Sequence, residues 1–118
     1  MANNPRSQKL AQQEIDTVIG KKRLPTLEDR NNLPYVQAIY LETMRLRAPL
    51  PLGLWHKATE DDNYNGYHIP QGTVLFANIW AMNHDEKVYP DPYAFKPERF
   101  LNTKANVSDI LAFGFGRR

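Results

Sequence analysis

The chain has 118 residues, of which 42% are hydrophobic and 24% charged, values that fit one small globular domain and exclude disorder as the default. No apolar run approaches the ~20 residues of a membrane-crossing helix, and residues 1–5 lack the apolar core of a signal peptide. Net charge is only +2 with the basic residues spread along the chain, so no nucleic-acid patch forms, and the absence of cysteine excludes disulfides and thiolate sites within these residues.

The first element is an amphipathic helix. Asn4 is a suitable N-cap and Pro5 a suitable first helical residue. Leu10, Ala11, Ile15, Val18 and Ile19 recur at helical spacing, with Gln12, Glu14 and Asp16 on the wet side and Gly20 as the stop. A basic linker, Lys21-Lys22-Arg23-Leu24-Pro25, precedes Thr26-Leu27-Glu28-Asp29, which has the form of a capping box opening a short helical turn. Asn32-Leu33-Pro34 then opens a second long helix whose faces are traced by Val36, Ile39, Tyr40, Thr43 and Leu46 or Arg47. Pro49 and Pro51 end it.

Beyond Pro51 the texture becomes β-like. Trp55 to Thr59 suits a strand, Glu60-Asp61-Asp62 a polar connection, and Asn65-Gly66 a tight turn. Pro70-Gln71-Gly72 suits a type II turn between Tyr67-His68-Ile69 and Thr73-Val74-Leu75-Phe76. Ile79 to Asn83 fits one helical turn, and prolines 90, 92 and 97 impose a meandering loop from Tyr89 to Leu101. The expected class is therefore mainly α with a small β portion (α+β): a helical part over about 4–48, then a strand and meander part over about 50–118. A lone hairpin needs a face to pack on, so this arrangement reads as part of a larger fold.

Three groups of residues carry chemistry. Glu42 and Arg45 lie three apart and share a helix face, a spacing that by itself suits a surface ion pair. Pro97-Glu98-Arg99-Phe100 sets a second arginine between a rigid loop and an apolar anchor. The terminus, Phe113-Gly114-Phe115-Gly116-Arg117-Arg118, combines glycines with arginines suited to an anion. A dinucleotide loop would need a third glycine and a following helix.

In this order the three groups resemble the C-terminal part of the cytochrome P-450 family, the heme-thiolate monooxygenases. That family has an E-x-x-R helix, a P-E-R-F loop and then F-x-x-G-x-R-x-C, matched here by Glu42–Arg45, Pro97–Phe100 and Phe113–Arg118. Asn32-Leu33-Pro34-Tyr35, residues 65–72 and Tyr89-Pro90-Asp91-Pro92 also fit, so nearly the whole chain is covered. The resemblance implies a structural network of Glu42, Arg45 and Arg99 that locks the second long helix to the meander. It implies that heme b (iron protoporphyrin IX) is bound with His56 and Arg118 at its propionates, Phe113 near the thiolate and Gly116 at the turn beneath the ring. No catalytic residue and no metal ligand is expected among the 118 residues, since the ligand cysteine of the family falls beyond Arg118. Leu50, Leu52 and Leu54 match a substrate-lining segment.

The implied activity of the complete protein is insertion of one atom of O2 into an apolar small molecule, with electrons from NADPH through a reductase partner. The 118 residues alone are expected to be inactive. The texture resembles fungal members of secondary metabolism. For the complete protein the implied location is the cytosolic face of the endoplasmic reticulum membrane, held by an N-terminal anchor absent from this sequence. Two other readings are a non-catalytic truncated product or interaction module, and an anion-binding basic tail at Arg117-Arg118. Two departures from the family pattern are Trp55, where proline often precedes the histidine, and Glu86, where proline is frequent. His68 and His84 read as hairpin-surface and helical-turn polar residues.

Overall fold

A computed structural model of the chain describes residues 2–101 and 110–114. Its elements in order are α1 (Pro5–Val18), a 3-10 turn (Leu27–Asn32), α2 (Pro34–Leu46), strands β1 (His56–Lys57), β2 (Asp62–Tyr64), β3 (Tyr67–Ile69) and β4 (Val74–Leu75), α3 (Ile79–Asn83) and a second 3-10 turn (Pro97–Phe100). This is the expected α+β content. Gly116, Arg117 and Arg118 lie outside the described residues.

Helix α1 starts at Pro5 as read, but Asn4 makes no side-chain cap bond. Its stop is as expected: Gly20 takes φ +79°, and the N–H groups of Ile19 and Gly20 both return to the Ile15 carbonyl. Only Ser7 of α1 is fully buried. Glu14, expected on the wet side, instead turns toward α2. Its Oε1 accepts from the Tyr35 N–H and its Oε2 from the Val36 N–H, each at 2.9 Å.

That contact explains how α2 begins. Its N-cap is Leu33, and Asn32 belongs to the preceding 3-10 turn. Leucine offers no cap acceptor, and Pro34 has no N–H to satisfy. The next two orphan donors are those of Tyr35 and Val36, and a carboxylate from another helix takes both. Gln37 N–H then closes the first internal bond on Leu33 O.

The buried face of α2 also differs from the apolar trace. Tyr35, Ala38, Leu41, Glu42 and Arg45 are buried, whereas Tyr40 and Thr43 are exposed and Val36 and Ile39 half-buried. A charged pair therefore faces inward. Beside it lies the core of Ala38, Leu41, Phe100, Ile110 and Ala112, with Met44, Tyr89 and Leu101 packed against it.

The strands form two nested antiparallel ladders. The inner one pairs β2 with β3 (Asn63 opposite His68), so Asp62 belongs to a strand rather than to the polar connection. Asn65 and Gly66, at φ +50° and +83°, close it as the Asn-Gly signal predicts. The outer ladder pairs β1 with β4, His56 opposite Leu75. Gly72 has φ +87° and Thr73 N–H donates to Pro70 O, as expected of the second turn. The radius of gyration is 18.4 Å against roughly 13–14 Å for a compact chain of this length. Many apolar side chains stay open to solvent, including Leu24, Leu27, Trp55 and Phe113.

Candidate functional site

The best-formed polar site is built on α2 and reaches into the meander. Both Glu42 and Arg45 are fully buried. Arg45 donates from Nε to Glu42 Oε2 at 2.7 Å and from Nη2 to Oε1 at 2.9 Å, a two-point fork. Its remaining donors go to main chain: Nη1 to Asn83 O at 2.7 Å and Nη2 to Pro92 O at 2.8 Å. The same Glu42 Oε1 accepts the Lys96 N–H at 2.9 Å and Arg99 Nε at 3.2 Å.

Arg99 stands on the second 3-10 turn, where Pro97 is buried at the first position and Phe100 anchors the other end in the core. Its other nitrogens point at the Pro90, Asp91 and Ala94 carbonyls, at 3.1, 3.4 and 3.5 Å. Tyr89 lies under both cations, with Arg45 5.1 Å and Arg99 6.0 Å from its ring centroid. Next to this, the Tyr35 hydroxyl meets Glu98 Oε1 at 3.2 Å.

The arrangement is mechanical. A buried carboxylate in contact with two guanidiniums and a backbone N–H has its charge compensated, and removing the carboxylate would leave the fully buried Arg45 guanidinium without a counter-ion. The expected grouping of Glu42, Arg45 and Arg99 is thus realised. The surface ion pair that the spacing alone would suit is not what forms.

The remaining candidates lie elsewhere. His56 begins β1 and is exposed, and the neighbouring Trp55 is 69% exposed with its ring 6.4 Å from that of Phe76. Leu50, Leu52 and Leu54 are 46%, 53% and 66% exposed on a turn fixed by Gly53, at φ +65°, and by Trp80 N–H donating to Pro51 O. Phe113 is 71% exposed. Gly116 and Arg118 fall outside the described residues.

Several contacts escaped sequence reasoning. Arg23, read as part of a basic linker, forks onto Asp29 with two 2.7 Å bonds. Asp29 also accepts the Thr26 N–H at 2.8 Å, the back-reaching half of the capping box. The Arg23 hydrogen bond first, and the Thr26 N–H second, hold the Asp29 carboxyl well below the usual carboxylate range. His84 is buried rather than a simple polar turn residue. Its ring stacks on Trp80 at 4.5 Å, with Tyr93 5.3 Å away, and its Nδ1 lies 2.8 Å from Trp80 O. The aromatic residues at 80, 84 and 93 were the available signal. Among the described residues no group of acidic, histidine or cysteine side chains is placed to hold a metal ion.

A helix glutamate and arginine locked to a P-E-R-F arginine is the arrangement that the sequence motifs anticipated. The family model described as cytochrome P450 matches residues 1–118. The chain belongs to the cytochrome P450 family. It is 53% identical over 123 aligned positions to the cytochrome P450 monooxygenase COX2 of Coprinopsis cinerea, covering 100% of this chain and 23% of that protein. It is 52% identical to claR of Ampulloclitocybe clavipes, covering 97% of this chain and 22% of that protein. A solved zebra fish cytochrome P450 with abiraterone superposes with a TM-score of 0.88 at 38% identity, over 98% of this chain and 27% of that one. The chain thus spans about a quarter or less of the length of the curated relatives it matches. The fold is the corresponding part of the cytochrome P450 fold.

Proposed function

We propose that these residues form the part of a heme-dependent monooxygenase that holds the meander against the helix bearing Glu42 and Arg45. The observation that carries this reading is the buried Glu42 carboxylate, contacted at once by Arg45, Arg99 and the Lys96 N–H. In the complete protein such a lock fixes the path of the chain that leads toward the heme loop.

The surface fits a large apolar ring with an anionic edge. Leu52, Leu54, Trp55, Val74, Leu75 and Phe76 are all exposed apolar side chains on or beside β1 and β4. His56, in the same strand, supplies a ring nitrogen suited to a propionate. His56 and Arg118 would hold propionates, Phe113 and Gly116 would shape the loop at the ring, and Leu50, Leu52 and Leu54 would face substrate. The thiolate is not among these residues, because the sequence has no cysteine. Bound heme supplies the iron chemistry by which one atom of O2 enters an apolar substrate. This chain's residues contribute binding, orientation and exclusion of water.

In this reading electrons come from NADPH through a reductase partner that docks in part on exposed basic side chains. The complete protein sits at the cytosolic face of the endoplasmic reticulum membrane. The test is the carbon-monoxide difference spectrum of the complete, reduced protein. The heme-thiolate signature is expected for the wild type and is expected to be lost in Glu42→Ala and Arg99→Ala. A complete wild-type protein that binds no heme would sink the proposal.

A further inference from the structure

We infer that Glu14 is a positioning residue for the heme-side architecture: it sets the height of α2, and through α2 the placement of the meander. The inference rests on the heme-binding reading above.

Within the described residues Ser7 is the one buried residue of α1, and Leu10, Ala11 and Ile15 are half-buried. The directional link between the two long helices is the Glu14 carboxylate, which grips consecutive N–H groups of α2 at 2.9 Å each. Two bonds to adjacent donors fix both the translation of α2 along its axis and its rotation about it. One bond would leave the rotation open. A carboxylate placed there also complements the positive end of the helix dipole.

The grip continues beyond the backbone. Tyr35, whose N–H Glu14 holds, sends its hydroxyl to Glu98 at 3.2 Å. Glu98 immediately precedes Arg99, which meets Glu42. Glu14 is therefore linked to the buried lock by two hydrogen-bonded steps, at the Tyr35 N–H and the Tyr35 hydroxyl, joined through the covalent chain of Tyr35 and of Glu98-Arg99. A shift of α2 by a fraction of a turn would move Glu42 and Tyr35 together against the second 3-10 turn.

The experiment uses the complete, heme-loaded protein with Glu14→Gln, Glu14→Ala and, as a control, Gly66→Ala on the distant hairpin. Heme transfer to an excess of apo-acceptor and the thermal midpoint are both recorded. Glu14→Ala is expected to release heme about tenfold faster than wild type, the order expected for losing charge-assisted bonds. Glu14→Gln keeps one acceptor oxygen and should fall between. Combining Glu14→Ala with Tyr35→Phe should add less than the sum of the two separate effects, because both cut one path.

Unchanged heme release in Glu14→Ala overturns the inference. So does a Gly66→Ala control that releases heme as fast at an equal loss of thermal midpoint, since Glu14 would then act through general stability alone. Absence of heme from the wild-type complete protein defeats the functional reading, and this inference with it. A heme-loaded wild type indifferent to Glu14 defeats this inference only.

Discussion

Arg99 Nε meets the Glu42 carboxylate at 3.2 Å across 57 positions of sequence. One fully buried carboxylate thereby joins α2 to a 3-10 turn that Pro97 and Phe100 also anchor by burial. Glu42 also takes both prongs of Arg45, so its charge is neutralised from two elements. Losing one partner is therefore worse than never having had the group.

Glu42→Ala should be more damaging than Arg99→Lys. It strands two guanidiniums, one of them fully buried, and is expected to cost about 3–5 kcal/mol in unfolding free energy of the complete protein. Arg99→Lys keeps the charge but loses the fork onto several carbonyls, and should cost less, about 1–3 kcal/mol. Urea unfolding monitored by circular dichroism distinguishes the two. Equal and small effects would contradict the buried-network account.

Tyr89→Leu removes the ring beneath Arg45 and Arg99 while leaving an apolar side chain. A loss of roughly 1–2 kcal/mol is expected from the two cation–ring contacts. A double-mutant cycle with Arg99→Lys should show coupling. Additive effects would mean that the ring serves packing only.

The Arg23–Asp29 pair predicts a pH dependence. The Asp29 carboxyl is depressed in the folded chain relative to its ordinary value of 3.8, chiefly by the Arg23 bond. Its stabilising contribution is therefore complete above that ordinary value and drains away as pH falls below it. Asp91 is also lowered, mainly by Lys96, and acts in the same window. Asp29→Asn should flatten, without abolishing, the fall in urea midpoint on acidification below about pH 4. An unaltered pH profile would show that the fork contributes nothing in solution.

Two glycines with similar backbone angles should respond differently to alanine. Gly53 and Gly66 have φ +65° and +83°, so both substitutions incur left-handed strain of about 1–2 kcal/mol. A methyl at Gly66 meets nothing within 4 Å, whereas at Gly53 it lies 3.4 Å from Ile79 Cδ1 and 3.5 Å from Ala77 O. Those distances are ordinary van der Waals contacts that let the Gly53 methyl pack, so Gly53→Ala should lower the melting temperature of the complete protein no more than Gly66→Ala. A larger loss at Gly53 would refute this.

Turn chemistry was the most legible part of the sequence. Gly20, Asn65-Gly66 and Pro70-Gln71-Gly72 each produced the expected local geometry because the cause is contained in the residues themselves. The Glu42–Arg45–Arg99 grouping was legible only through motif order, since three-residue spacing fits a surface pair equally well. Apolar tracing misjudged α2 because the inward face is charged and its burial is compensated from the meander. Glu14 was misassigned for a related reason: a carboxylate on a polar stripe gives no sign that a leucine-capped helix nearby lacks acceptors. The cap of α2 is non-local, and no window of sequence contains both halves.

The two arginines bind the end of α3 through the carbonyl oxygen of Asn83 and the meander through those of Pro90, Asp91, Pro92 and Ala94, not through side chains. Every amino acid presents that oxygen. The outward chemistry of this stretch is therefore free to drift between related chains while its path is retained, and what selection has to preserve is the curve of the main chain and the two cations that read it.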